Sequence, residues 1–232
     1  MKSSIKLKVF PDIDKLSSAA ADIFISFLKT DGDNTFIIPG GSTPELFYKY
    51  LSKKISDWKN ITLIPSDERL VSECSLHSNI GMIKKNLFTR INKPIYPRLV
   101  SIINDFIPEE SQQILKSLNS TTRKLLPPKA AFLGIGSDGH TASLFPGIKK
   151  NSYTNESFII VNRDSESFQR ISISQEILSN TPNLVFLVTG KKKKNIVRKI
   201  VNKERDVLPL PAQNLINKAT GKVIILCDRD AY

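Results

Sequence analysis

The chain has 232 residues, 40% hydrophobic and 24% charged, which is the composition of an ordinary globular domain and excludes a disordered or fibrous chain. Thirty-four Lys and Arg against 22 Asp and Glu leave a net charge of +12, suited to long-range attraction of an anionic partner. No apolar run approaches the roughly 20 residues of a membrane-spanning helix, residues 1–14 lack the apolar stretch of a secretory signal, and two cysteines with two histidines are too few for a disulfide framework or a histidine-rich metal cage.

The elements alternate along the chain. A strand over 5–10 precedes an amphipathic helix over 13–28, with apolar residues at Ile13, Leu16, Ala20, Ile23, Phe24 and Phe27. A short strand over 35–38 runs into Pro39-Gly40-Gly41, and Pro44 opens a helix that continues through 45–51. A strand over 61–65 ends at Ser66-Asp67-Glu68-Arg69, and Ser78 or Asn79 caps a helix reaching Phe88. A strand near 100–103, a helix around 109–118 and an unbroken apolar strand over 130–135 follow. Residues 158–161 and 170–174 read as a strand pair, 183–189 as another apolar strand with a helix through Val201 after it, and 222–227 as the last strand. Apolar strands separated by helices imply one domain over residues 1–232: α/β, three-layered (α/β/α), with a mostly parallel, Rossmann-like sheet covered on both faces.

In such sheets ligands bind beyond the carboxyl ends of the strands. Four polar or glycine-rich segments follow strands directly, at 40–43, 67–69, 134–140 and 189–193, and they are expected to share one edge. Five of the chain's 10 glycines lie in two of these loops. Gly40-Gly41-Ser42-Thr43 before a helix start offers backbone N–H groups, two hydroxyls and a helix dipole to a phosphate; a tight turn with a hydroxyl cap is the plainer reading. Gly134-Ile135-Gly136-Ser137-Asp138-Gly139 matches G-x-G-x-x-G, but Pro146-Gly147 interrupts the helix that a dinucleotide fold needs, and Asn162 stands where a ribose-binding acid belongs.

Asp138-Gly139-His140 remains in that loop. Imidazole suits proton transfer near neutral pH and a carboxylate can orient it, so His140 is the leading general base; a turn-capping histidine is the bland alternative. His77 lacks an adjacent carboxylate and reads as structural or peripheral. Asp67-Glu68-Arg69 is either part of the site or a surface ion-pair cluster. No G-x-S-x-G elbow is present, which disfavours a serine hydrolase. The basic run at 191–194 with Arg198 and Lys199 contains no aromatic residue and reads as a solvated helix face, so neither nucleic acid nor membrane is an expected partner. The expectation is a reduced, soluble, cytoplasmic protein.

Together these segments resemble the 6-phosphogluconolactonase family, within the group that includes glucosamine-6-phosphate deaminases. The resemblance rests on Pro39-Gly40-Gly41-Ser42-Thr43-Pro44, Asp67-Glu68-Arg69 with Ser78-Asn79, the run from Gly134 through His140 to Ala142-Ser143-Leu144-Phe145-Pro146, Arg170-Ile171-Ser172-Ile173-Ser174, Phe186-Leu187-Val188-Thr189-Gly190 with Lys193, and Asp228 with Ala231. The deaminases look different after the histidine.

The resemblance implies hydrolysis of 6-phospho-D-glucono-1,5-lactone to 6-phosphogluconate in the oxidative pentose phosphate pathway, with no metal or organic cofactor, by a monomer or homodimer. His140 then resembles the base that activates water, and Asp138 its support. Gly40, Gly41, Ser42, Thr43, Asp67, Arg69, Arg170 and Lys193 are similar to residues that hold the substrate and its phosphate. Pro39, where the family often has Ser, Ser66, and the stretches 71–77 and 162–165 depart from the pattern. An isomerase or deaminase using Asp67 as base at C2, and a non-catalytic sugar-phosphate-binding protein, are the competing readings.

Overall fold

The computed structural model describes residues 5–92, 94–102, 110–147, 156–163, 165–202, 204 and 210–232. Strand β1 (Ile5–Phe10) leads into helix α1 (Ile13–Ser26), whose start is set by Asp12: its carboxylate accepts the Lys15 backbone N–H at 2.8 Å. Next come β2 (Asn34–Ile38), α2 (Glu45–Lys54), β3 (Ile61–Pro65) and the short β4 (Asp67–Arg69). Ser78 caps α3 (Asn79–Asn86) by accepting from Gly81 N at 3.0 Å, so of the two capping residues expected it is the serine that serves. The rest of the chain supplies β5 (Arg98–Leu99), α4 (Ser111–Thr122), β6 (Ala130–Gly134), β7 (Phe158–Val161), β8 (Arg170–Ile173), α5 (Gln175–Ser179), β9 (Asn183–Val188), α6 (Lys194–Val201), α7 (Pro211–Lys218) and β10 (Lys222–Asp228).

Seven strands form one sheet in the order β1-β10-β9-β6-β2-β3-β5, every adjacent pair parallel. Side chains alternate across it. Phe36, Ile38, Phe132, Val185 and Leu187 join α1, α2 and α3 through Leu16, Ala20, Phe24, Phe47, Leu51 and Ile83. Ile37, Leu133, Leu184, Phe186 and Ile225 face the opposite way, onto α4, α6 and α7 through Leu118, Ile196, Ile200 and Leu215. The fold is therefore three-layered α/β/α with a Rossmann-like sheet.

The topology positions the site. From β2 the chain winds outward to β3 and β5, whereas from β6 it winds the other way to β9 and β10, so the direction reverses between β2 and β6. A crevice opens beyond the carboxyl ends of strands at such a reversal. Both glycine-rich loops, after β2 and after β6, flank it.

Three features differ from the pattern read in the sequence. Asp67-Glu68-Arg69 is a strand, not a loop: β4 pairs antiparallel with β8, and β8 with β7, in a second, three-stranded sheet. The edge strand near 100–103 is instead Arg98–Leu99, where pairing with Thr62 and Leu63 of β3 sets its register; Ile103 lies outside the described residues, as do Glu109, at the expected start of α4, and Asp164. Helices α5 and α7 carry no long apolar period. Pro211 stands at the first position of α7, where its missing N–H has no intrahelical acceptor to lose.

Candidate active site

Residues 40–43, 134–136 and 189–193, with Asp67, Arg69, His140 and Arg170, wall one cavity of about 440 Å³, a size suited to a small phosphorylated sugar. All four segments expected at one edge of the sheet meet there.

The turn after β6 is held by Gly136 N–H donating to the His140 carbonyl (2.8 Å) and Gly139 N–H to the Gly136 carbonyl (3.0 Å). Thr141 Oγ1 anchors its far side on the Gly134 carbonyl at 2.9 Å. No helix begins between 139 and 147, so the glycine pattern serves a side-chain turn and not a dinucleotide fold. Within the turn, His140 Nδ1 lies 2.6 Å from Asp138 Oδ1, which also accepts the His140 backbone N–H at 3.2 Å. A carboxylate only accepts, so the ring proton sits on Nδ1 and Nε2 is the basic nitrogen.

Burial by itself would raise the Asp138 carboxyl. The bond from the His140 N–H, the imidazole's charge and its ring bond outweigh that and hold it below the ordinary aspartate value. A Cβ on Gly136 would lie 2.1 Å from His140 Nδ1 and 2.4 Å from Asp138 Oδ1, so only glycine leaves room for the pair. Phe145 packs against the imidazole at 4.6 Å between centroids.

Strand β4 divides its three residues by alternation. Asp67 and Arg69 border the cavity, while Glu68 turns away and is buried under α3. There Glu68 accepts the N–H groups of Asn79 (2.8 Å), Ile80 (2.7 Å) and Arg69 (2.7 Å) and the Ser78 hydroxyl (3.0 Å). Burial pushes its carboxyl up and these bonds pull it part of the way back. Its charge is spent on the helix start, not on the cavity.

Arg69 is held by neutral groups, donating from Nη1 to Asn79 Oδ1 (2.7 Å) and to the His77 carbonyl (3.0 Å); its buried Nε finds no partner among the described residues. Asn79 in turn donates to the Asp67 carbonyl at 2.8 Å and presses on the glycine loop: a Cβ on Gly40 would meet the Asn79 side chain at 2.1 Å. Gly41 has φ of +86°, a left-handed conformation that glycine adopts without strain. His77 is exposed, outside the cavity wall, with its ring beside Phe168.

Arg170 is buried and ion-paired. Its Nε and Nη2 donate to Glu166 at 2.7 and 2.9 Å, and Nη1 lies 3.4 Å from Ser143 Oγ and 3.8 Å from Asp67 Oδ2. Asp67 accepts the hydroxyls of Ser66 (2.9 Å) and Ser143 (2.5 Å).

The lysine run is not wholly a solvated helix face. Lys191–Lys193 form a 3-10 turn on the cavity wall, and α6 begins only at Lys194. Gly190 (φ +89°) starts that turn; its N–H donates to both carboxylate oxygens of Asp228 at 3.0 and 3.1 Å. Burial lowers the Lys193 ammonium, the nearby charge of Asp138 raises it in part, and Lys192 lowers it further. Thr43 and Thr189 hydroxyls meet at 3.2 Å and tie the glycine loop to this turn.

Gly40, Gly41, Ser42, Thr43, Asp67, Arg69, His140, Arg170 and Lys193 thus all border the cavity, and Asp138 reaches it through His140. Sequence reasoning missed the parts played by Asn79, Ser143 and Glu166. An acid spaced between two arginines, Arg163-x-x-Glu166-x-x-x-Arg170, was the available signal for the last. Among the described residues no cluster of three His, Cys, Asp or Glu side chains is arranged to hold a metal ion, and no helix is long and apolar enough to cross a membrane.

Comparisons with known proteins bear on the family and the fold. The 6-phosphogluconolactonase of Haemophilus influenzae is 29% identical over 216 residues, spanning 89% of this chain and 90% of that protein. That of Aggregatibacter actinomycetemcomitans is 28% identical over 230 residues, 96% of each chain. A solved structure, that of the devB protein, superposes with a TM-score of 0.86 at 28% identity over 98% of both chains. The family model for glucosamine-6-phosphate isomerases/6-phosphogluconolactonase matches residues 12–225, and the chain belongs to that family.

Proposed function

We infer that this chain hydrolyses 6-phospho-D-glucono-1,5-lactone to 6-phospho-D-gluconate. The observation that carries the reading is the shared cavity: an imidazole backed by a carboxylate faces the same space as the glycine loop at residues 40–43. The relatives named 6-phosphogluconolactonase support the reaction.

The residues divide into two ends. Arg69, which borders the cavity and whose side-chain partners among the described residues are neutral, is the cation suited to a dianionic phosphate, together with Lys193 and the backbone of the glycine loop. Arg170 is already matched by Glu166 and Asp67 and is the poorer phosphate holder. It sits at the other end, sharing the Phe145 ring with His140. Binding energy from the phosphate then positions C1 against the base.

His140 Nε2 takes a proton from water as its oxygen attacks C1, and Asp138 holds the ring through Nδ1. The oxyanion that develops on the carbonyl is met by N–H donors bordering the same space, Arg170 among them. Collapse breaks the bond from C1 to the ring oxygen, which receives the proton from Nε2, leaving a carboxylic acid that ionises. No cofactor takes part in these steps.

Asp67 serves the deaminase-type reading less well, because its carboxylate accepts the hydroxyls of Ser66 and Ser143 and neighbours Arg170. The reading also takes the chain as one domain, supported by β1 and β10, its first and last strands, lying side by side in the large sheet. It places the enzyme in the cytoplasm, as monomer or homodimer. The test compares loss of the lactone, measured against its spontaneous hydrolysis, with ammonia release from glucosamine 6-phosphate. Lactone loss at the spontaneous rate overturns the reading.

A further inference from the structure

Opening a lactone changes the charge at one end of the ligand only. The phosphate is untouched, whereas C1 passes from a neutral ester to a carboxylate. A cation at the reacting end that helps the transient oxyanion would therefore also grip the product. Arg170 stands at that end: Phe145 contacts the His140 ring at 4.6 Å and lies 5.3 Å from the Arg170 guanidinium.

Arg170 is not left as a bare cation. Glu166 accepts from its Nε and Nη2 at 2.7 and 2.9 Å, and Asp67 lies 3.8 Å from Nη1. Glu166 is shared with Arg163, whose Nη1 is 2.7 Å away and whose guanidinium covers Phe145 at 4.0 Å. Two guanidiniums thus face two carboxylates. Among the described residues neither Glu166 nor Arg163 borders the cavity, so neither touches a ligand there. The bonds from Arg170, opposed in part by burial and helped by Arg163, hold the Glu166 carboxyl low, which keeps it anionic at neutral pH.

We propose that Glu166 is a positioning residue that governs product release: by matching the charge of Arg170 from outside the cavity, it leaves N–H donors for the oxyanion but little net attraction for the product's new carboxylate. The proposal rests on the lactonase reading. It follows from charge balance that Glu166 acts on product and substrate unequally.

The test is Glu166→Gln, which keeps an amide oxygen for Arg170 and removes the charge. The inhibition constant of 6-phosphogluconate should fall roughly three- to tenfold, as expected for one unmasked charge across a partly screened distance, with a smaller change in KM for the lactone. Arg163→Gln releases Glu166 wholly to Arg170 and should raise that inhibition constant. It also carries the test if Glu166→Gln does not fold. Calorimetry with 6-phosphogluconate and with glucitol 6-phosphate, whose C1 is an uncharged alcohol, should show tighter binding of the first alone in Glu166→Gln. Equal shifts for both ligands, or an unchanged inhibition constant in an active variant, overturn the role of Glu166. Wild-type protein without lactonase activity overturns the functional reading instead.

Discussion

Arg69 and Arg170 stand directly opposite each other in the ladder between β4 and β8, two guanidiniums on one face of a three-stranded sheet. Like charges in that position repel. The pair is tolerated because the two side chains are held differently, Arg69 by a carbonyl and an amide and Arg170 by carboxylates.

That difference divides their kinetic roles. Arg69→Gln and Lys193→Gln should each raise KM by roughly ten- to a hundredfold, the scale of a lost hydrogen bond to a charged group, with kcat little changed. Arg170→Gln should act mainly on kcat. Steady-state kinetics of the three variants checks this; if none raises KM, the phosphate is held elsewhere.

His140→Ala should lower kcat by roughly 10²–10⁴, the usual contribution of one acid–base group, with a smaller effect on KM. Gly136→Ala should act in the same direction without removing a polar group, because the added Cβ would lie 2.1 Å from His140 Nδ1 and displace the ring. Turnover at the wild-type rate in the histidine variant would remove His140 from the chemistry.

Gly40→Ala pushes on Asn79, which cannot yield freely because it bonds both Arg69 and the Asp67 carbonyl. The expected loss is about 1–3 kcal/mol of stability, as for other overpacked sites, with a higher KM. Adding Asn79→Ala should relieve the clash but recover the urea midpoint only in part, since Arg69 and the Asp67 carbonyl lose a partner, and it should leave KM high.

The Glu166 carboxyl is held below its ordinary value, first by the hydrogen bonds of Arg170. A depressed acid contributes stability that is complete above its unfolded value, about 4.3, and is lost as pH falls through the folded value. The difference in urea midpoint between wild type and Glu166→Gln should therefore be constant between about pH 6 and 8 and shrink below about pH 4. A gap that widens in acid would contradict the ion pairing.

The layered fold was legible because its signals are local. Apolar runs such as Leu184 to Val188 and helix faces such as Leu16, Ala20 and Phe24 carry their periods in consecutive residues, and a buried parallel sheet follows from them. The convergence of the four segments was legible for a related reason, since strand direction puts the carboxyl ends of a parallel sheet on one side. His140 with Asp138 could be read because two residues of separation make their contact local.

What the sequence by itself determined about this protein is the parallel sheet, the edge at which its polar and glycine-rich segments meet, and the imidazole–carboxylate pair. Only the tertiary structure decided which cations are free. Glu68 lies between two cavity residues yet is spent on a helix start, the lysine run divides between a cavity wall and a helix, and Arg170 is matched by Glu166 and Asp67 while Arg69, among the described residues, is held by neutral groups. The physical reason is range: periodicity and turn chemistry act within a few residues, whereas the partner that neutralises a charge is chosen by strand register and burial, and Asp67 meets Arg170 across more than a hundred positions of chain.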